Sequence, residues 1–247
     1  MGKFSEQMTM DMELKGFASK TQEAYLAGVR GFVRYFGQSP DLLGEMDIRK
    51  YLHHLIKERN LSQSTINQSY SAVKFFYQTT LQREWNALRI PRIKGKKKLP
   101  VVFSLQEVGE LLAVVSNLKH RAILTTIYSG GLRVSEAAHL KVTDIDSHRM
   151  MIRVDQAKGN KDRYTLLARR ALFALRKYWE VYRPVNWLFP GNLPDRPVSV
   201  RSIQKVLYNA VEKARIQKPA SVHTLRHSFA THLAEAGVSL PCIQELL

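Results

Sequence analysis

The chain has 247 residues, 45% of them hydrophobic and 24% charged, a balance that excludes wholesale disorder and suffices for one large or two modest cores. Its longest apolar runs, such as Leu111–Val115, are far too short to cross a bilayer, and its single cysteine, Cys242, excludes an internal disulfide. With 38 Lys+Arg against 21 Asp+Glu the formal charge is +17; residues 1–100 (17 basic, 9 acidic) and 101–247 (21 and 12) share the excess, so the whole chain is basic rather than one tail.

Such a distribution suits a polyanion, nucleic acid being the commonest, with a solvated basic surface as the alternative. No charged-then-apolar leader opens the sequence, so a soluble, cytoplasmic protein is expected.

In chain order, Ser19–Gln22 has the pattern of a capping box. Behind it Tyr25, Val29, Phe32 and Phe36 recur on one helical face, which Gly37 can end. Asp47 can cap a second helix carrying Ile48, Tyr51 and Leu55. Ser62 can cap a third with Ile66, Tyr70, Val73 and Tyr77 inward. The other face of that third helix presents Ser64, Asn67, Ser71 and Lys74, and no acidic residue occurs from Arg59 to Arg83. Hydroxyls, amides and a lysine without carboxylates can approach phosphates and base edges, so these four are candidate DNA contacts; an ordinary polar face is the alternative.

Residues 91–100 (PRIKGKKKLP) place two prolines around a glycine and the run Lys96, Lys97, Lys98. Composition makes 93–100 a basic linker between a helical domain over 1–92 and a second domain over 101–247, and its lysines can cross a DNA backbone.

The second domain opens on another capping box, Ser104–Glu107, ahead of Leu111, Leu112 and Val115. Helical patterns follow at about 119–128 and 134–140. Over 140–167 the period changes: Ile152 and Val154, then Tyr164 and Leu166, alternate around the turn 158–162 as a hairpin. Helices resume at about 168–182, 200–215 and 224–236, and Ser239 caps a final segment.

Three segments stand out: Gly130–Glu136 (GGLRVSE), Lys158–Lys161 (KGNK) and His223–His227 (HTLRH). In this order and spacing they resemble the tyrosine recombinase (phage integrase) family, in particular its Xer and integron-integrase branch. Leu188–Gly191 and Phe229–Gly237 agree. The resemblance implies a mainly α fold with a small antiparallel β-sheet: an N-terminal helical core-binding domain and a mixed α/β catalytic domain. It implies site-specific recombination of double-stranded DNA by strand cleavage and rejoining, by enzymes that assemble as tetramers on paired sites.

By the same resemblance Arg133 and Arg226 hold the scissile phosphate, whose extra transition-state charge planar guanidiniums match bidentately. His223 is a hydrogen-bonding or proton-transferring group, and Lys158 protonates the departing 5′ oxygen. Glu136 orients its neighbours. Lys161 and Arg201 are further candidate DNA contacts. No cofactor is implied, because a covalent protein–DNA bond conserves the phosphodiester energy. His223 and His227 could be read as half a metal site, but no HExxH pattern accompanies them, and GxxxxGK[ST] is also missing.

The family's nucleophilic tyrosine follows a Gly-His segment beyond the last helix. Here the sequence reaches Leu247 without one, and Tyr128, Tyr164, Tyr178, Tyr182 and Tyr208 all precede Arg226. The expectation is a recombinase represented without its nucleophile. The alternatives are a non-catalytic relative that occupies or regulates recombination sites, and a type IB topoisomerase, which the motif contexts fit less well.

Overall fold

The computed structural model describes residues 2–85, 89–93, 99–157 and 161–247, the side chains of Gln156, Ala157 and Lys161 apart. The chain divides into two compact units, 1–97 and 98–247. The linker lysines Lys96, Lys97 and Lys98, the hairpin tip with Lys158, and the Lys161 side chain lie outside what is described.

The first unit is helical: α1 (Gly2–Leu14), α2 (Ser19–Phe36), α3 (Glu45–Lys57) and α4 (Gln63–Phe75), the last running into a π-helical turn, Phe76–Thr80. The inward faces expected of α2, α3 and α4 are there, with Val29, Phe32, Ile48, Tyr51, Leu55, Ile66, Tyr70, Val73 and Tyr77 buried. Phe32 packs edge-on against Tyr51 at 5.3 Å between ring centroids, and each such fully buried side chain contributes about 1.5–3 kcal/mol. The backbones of α2 and α4 come close at Gly28, where a Cβ would stand 2.8 Å from that of Ala72.

Three details depart from the sequence reading. Helix α1 was not anticipated, although Met8 and Met12, one turn apart, are fully buried. Ser19 lies inside α2; the N-cap is Ala18, and Gln22 donates to the Phe17 carbonyl at 2.8 Å. The Phe17 ring packs on Tyr25 and Phe75, so an aromatic contact rather than a serine hydroxyl sets the entry of the helix. Asp47 likewise is not the cap of α3. Gly44 is, and its N–H donates to the Asp47 carboxylate at 3.0 Å. Ser62 does cap α4, accepting from the Thr65 N–H at 3.3 Å.

The second unit comprises α5 (Leu105–Ala113), α6 (Leu118–Gly130), α7 (Val134–Ala138), a sheet of β1 (Ile145–Asp146), β2 (Met151–Ala157) and β3 (Lys161–Leu166), then α8 (Arg169–Tyr182), α9 (Val200–Lys213), α10 (Val222–Glu235) and α11 (Leu240–Leu246). The capping box of α5 forms on both sides, Ser104 Oγ accepting from the Glu107 N–H and the Glu107 carboxylate from the Ser104 N–H. Helix α6 is buried nearly all round, through Ala122, Ile123, Leu124 and Ile127, because other helices and the sheet enclose it. The final segment starts after Ser239, but its hydroxyl makes no capping bond.

The sheet is antiparallel, in the order β1-β2-β3, with Ile152 opposite Thr165 and Val154 opposite Arg163. That register corrects the expected apolar face of β3. Ile152 and Val154 point inward with Thr165 and Arg163, whereas Tyr164 and Leu166 face outward, 44% and 40% exposed. Thr165 is held inward by donating to the Gly130 carbonyl at 2.8 Å. Among the described residues no helix is long and apolar enough to cross a membrane.

Candidate functional site

The candidate site is built where α6 ends and α7 begins. Gly131 closes α6 in the left-handed conformation, φ +58°, and a Cβ there would stand 2.4 Å from the Phe229 ring, so glycine alone fits. The reversal sets Arg133 at the start of α7 with Glu136 three residues on. The Glu136 carboxylate accepts from the Arg133 N–H at 2.8 Å and from its Nη1 at 2.6 Å.

Helix α10 supplies Arg226, only 7% exposed beside buried Leu225 and Phe229. Its Nη1 donates to the Gly131 carbonyl at 2.8 Å and stands 3.5 Å from Glu136 Oε2, and its Nη2 donates to the Leu247 carbonyl. From β3, Arg163 donates through Nη1 and Nη2 to the two oxygens of the same carboxylate, at 3.0 and 2.9 Å, and through Nε to the Leu246 carbonyl at 3.2 Å. Three guanidiniums from three elements thus surround one buried carboxylate. Arg133 is the most open of them, its side chain 31% exposed against 13% for Arg163 and 9% for Arg226.

The electrostatics follow from this packing. Burial pushes the Glu136 carboxyl up, but hydrogen bonds from Arg163 and Arg133 outweigh it and leave the group below its ordinary value of 4.5. Burial and the Arg133 charge push the Arg226 guanidinium down to about 10, still charged at neutral pH, with Glu136 opposing. His223, one turn before Arg226, has its ring 4.7 Å from that of His227. Burial, then His227, Arg226 and Arg133, lower its pKa below 6.5, so the neutral imidazole prevails at neutral pH and can accept a proton.

The structure therefore brings Arg133, Glu136 and Arg226 together, with His223 in their field. Arg163 was missed by sequence reasoning. Its signal was the hairpin alternation: a residue sharing the inward face with Val154 meets the core, and an arginine there needs a buried carboxylate. Among the described residues no tyrosine hydroxyl hydrogen-bonds to this cluster. Tyr128 pairs with His232 Nδ1 at 2.9 Å, Tyr178 is in the core, and Tyr164 and Tyr208 face outward. No group of three or more His, Cys, Asp or Glu among the described residues could hold a metal ion.

Arg201 is exposed in the first turn of α9. On α4 of the first unit Ser64 is exposed and Lys74 half-buried. Ser71 donates to the Asn67 carbonyl at 2.9 Å, and the Asn67 amide donates to the Ile93 carbonyl at 3.1 Å, beside Gln63 at 2.9 Å. Part of that face thus holds the strand of chain leaving the unit.

The Phage integrase family model matches residues 101–247, and that of the Phage integrase N-terminal SAM-like domain matches 4–87. The chain is 45% identical over 243 residues to the "Putative integrase/recombinase y4qK" of Sinorhizobium fredii, covering 98% of this chain and 79% of that one. It is 33% identical over 257 residues to the tyrosine recombinase XerC of Lactobacillus leichmannii, covering 94% and 85%. In fold it is similar to a lambda integrase dimer bound to a COC′ core site, with a TM-score of 0.80 at 17% identity, covering all of this chain and 94% of that one.

Proposed function

The chain belongs to the phage integrase family of tyrosine recombinases, enzymes of site-specific DNA recombination, and from that premise we propose that its second unit seizes one DNA phosphate between Arg133 and Arg226. The observation that carries this reading is the arginine cluster itself: two guanidiniums at the family's motif positions, oriented by one buried carboxylate, with Arg133 open to an incoming oxyanion.

In the complete reaction a tyrosine oxygen bonds to phosphorus and the P–O5′ bond breaks, leaving a 3′-phosphotyrosyl ester. The 5′ oxygen departs with a proton from Lys158. His223, neutral at neutral pH, hydrogen-bonds at the phosphate and can take up the attacking tyrosine's proton. Glu136 orients the arginines without touching substrate. Ser64 and Lys74, the linker lysines, Lys161 and Arg201 are proposed to contact DNA, Asn67 and Ser71 being engaged within the first unit, and the full-length enzyme to assemble as a tetramer on paired sites. The domains are proposed as 1–92 and 101–247, joined by 93–100.

A second reading has a specific observation behind it. Among the described residues no tyrosine hydroxyl hydrogen-bonds to the arginine cluster. On this reading the protein engages DNA without attacking it, and occupies or regulates sites used by catalytic recombinases.

Both readings require DNA binding dominated by phosphates. The affinity of the 247-residue protein for duplex DNA should fall steeply with salt, by about 10³-fold or more between 50 and 200 mM if six or more phosphates are contacted. An affinity that barely moves over that range would contradict binding dominated by phosphates, which both readings require.

A further inference from the structure

Arg163 has no role in the reading above, yet it is the most fully engaged member of the cluster. Its Nη1 and Nη2 grip both Glu136 oxygens, and its Nε holds the Leu246 carbonyl at the end of α11. Glu136 in turn holds Arg133 at 2.6 Å and stands 3.5 Å from Arg226. A carboxylate bonded only to Arg133 and Arg226 would be free to swing toward either. The fork from β3 clamps both its oxygens at once, which fixes its plane and the direction in which the other two guanidiniums point. With all three of its nitrogens engaged by protein acceptors, Arg163 is built to hold protein rather than substrate.

We propose that Arg163 is a positioning residue for phosphate binding: it locks Glu136 so that Arg133 and Arg226 are presented to the phosphate in one fixed geometry. This rests on the reading that Arg133 and Arg226 take up phosphate. A lysine would keep the charge, but its single nitrogen cannot span both carboxylate oxygens and the Leu246 carbonyl. Geometry and charge are therefore separable.

The test uses the 247-residue protein and inorganic phosphate as probe, titrated by NMR on the Arg133 and Arg226 guanidinium signals and the His223 ring. Arg163→Ala and Arg163→Lys should each weaken phosphate binding about tenfold or more. Added to Glu136→Gln, Arg163→Ala should cost less than about twofold further, because the residue through which it acts is already gone. A cooperative thermal unfolding transition in each variant separates lost positioning from a general loss of structure. Should Arg163→Ala fail to fold, the lysine variant carries the test. Wild-type phosphate affinity in Arg163→Lys, or a full additive loss on the Glu136→Gln background, overturns the proposal. If Arg226→Ala binds phosphate as wild type does, it is the clamp reading beneath it that fails.

Discussion

Glu136→Ala is expected to destabilise the second unit by about 3–5 kcal/mol, because it leaves Arg163 and Arg226 buried without their counter-charge. Against a typical domain stability of about 5–15 kcal/mol that is a large share. The effect carries a pH signature, best read in Glu136→Gln. Burial raises the Glu136 pKa and the hydrogen bonds from Arg163 and Arg133 lower it by more, so the folded value lies below the ordinary 4.5. The carboxylate's contribution is thus fully present above about pH 4.5 and lost as the pH falls through the folded value. Thermal unfolding midpoints of wild type and Glu136→Gln should lie furthest apart near neutrality and converge as the pH falls below 4.5, through the folded value. A gap that persisted unchanged in acid would show that the ionised carboxylate is not what holds the cluster.

The second large effect concerns chemistry. In a chain extended by a family tail that carries the tyrosine, Arg226→Ala should cut the rate of covalent adduct formation by about 10²–10³-fold or more, since one lost electrostatic donor at a developing oxyanion commonly costs that much. Arg226 is held from two sides, by the Gly131 and Leu247 carbonyls, so its guanidinium is already in place before substrate arrives. Equal rates from the variant and the parent would move the phosphate clamp elsewhere.

Much of this was legible in the sequence because the informative residues sit at strict spacings. The Gly130–Glu136 and His223–His227 motifs hold Gly131, Arg133, Glu136 and Arg226, and the helical periods of α2, α3 and α4 follow from rows of large apolar residues. Hidden were features set by tertiary contact. Ser19 and Asp47 have the chemistry of caps, but Phe17 packs at the entry of α2, and α3 starts at Gly44, whose N–H donates to the Asp47 carboxylate. Tyr164 and Leu166 looked like the buried side of β3, and only pairing with β2 turns Arg163 inward instead. Asn67 reads as a free amide on a polar face, yet it is bound to the Ile93 carbonyl, 26 residues away in sequence.

Under the proposed function, Arg133 and Arg226 hold the scissile phosphate and none of the tyrosines before Arg226 attacks it. A labelled duplex that the protein itself selects from a randomised pool, carrying a nick that traps cleavage, tests it directly. The 247-residue protein should shift that duplex on a native gel and leave no protein-linked label on a denaturing gel, whereas the tyrosine-bearing extension should give a covalent 3′ adduct on both. A covalent adduct from the 247-residue protein would contradict the account, because another nucleophile, such as one of the tyrosines before Arg226, would then be attacking the phosphate.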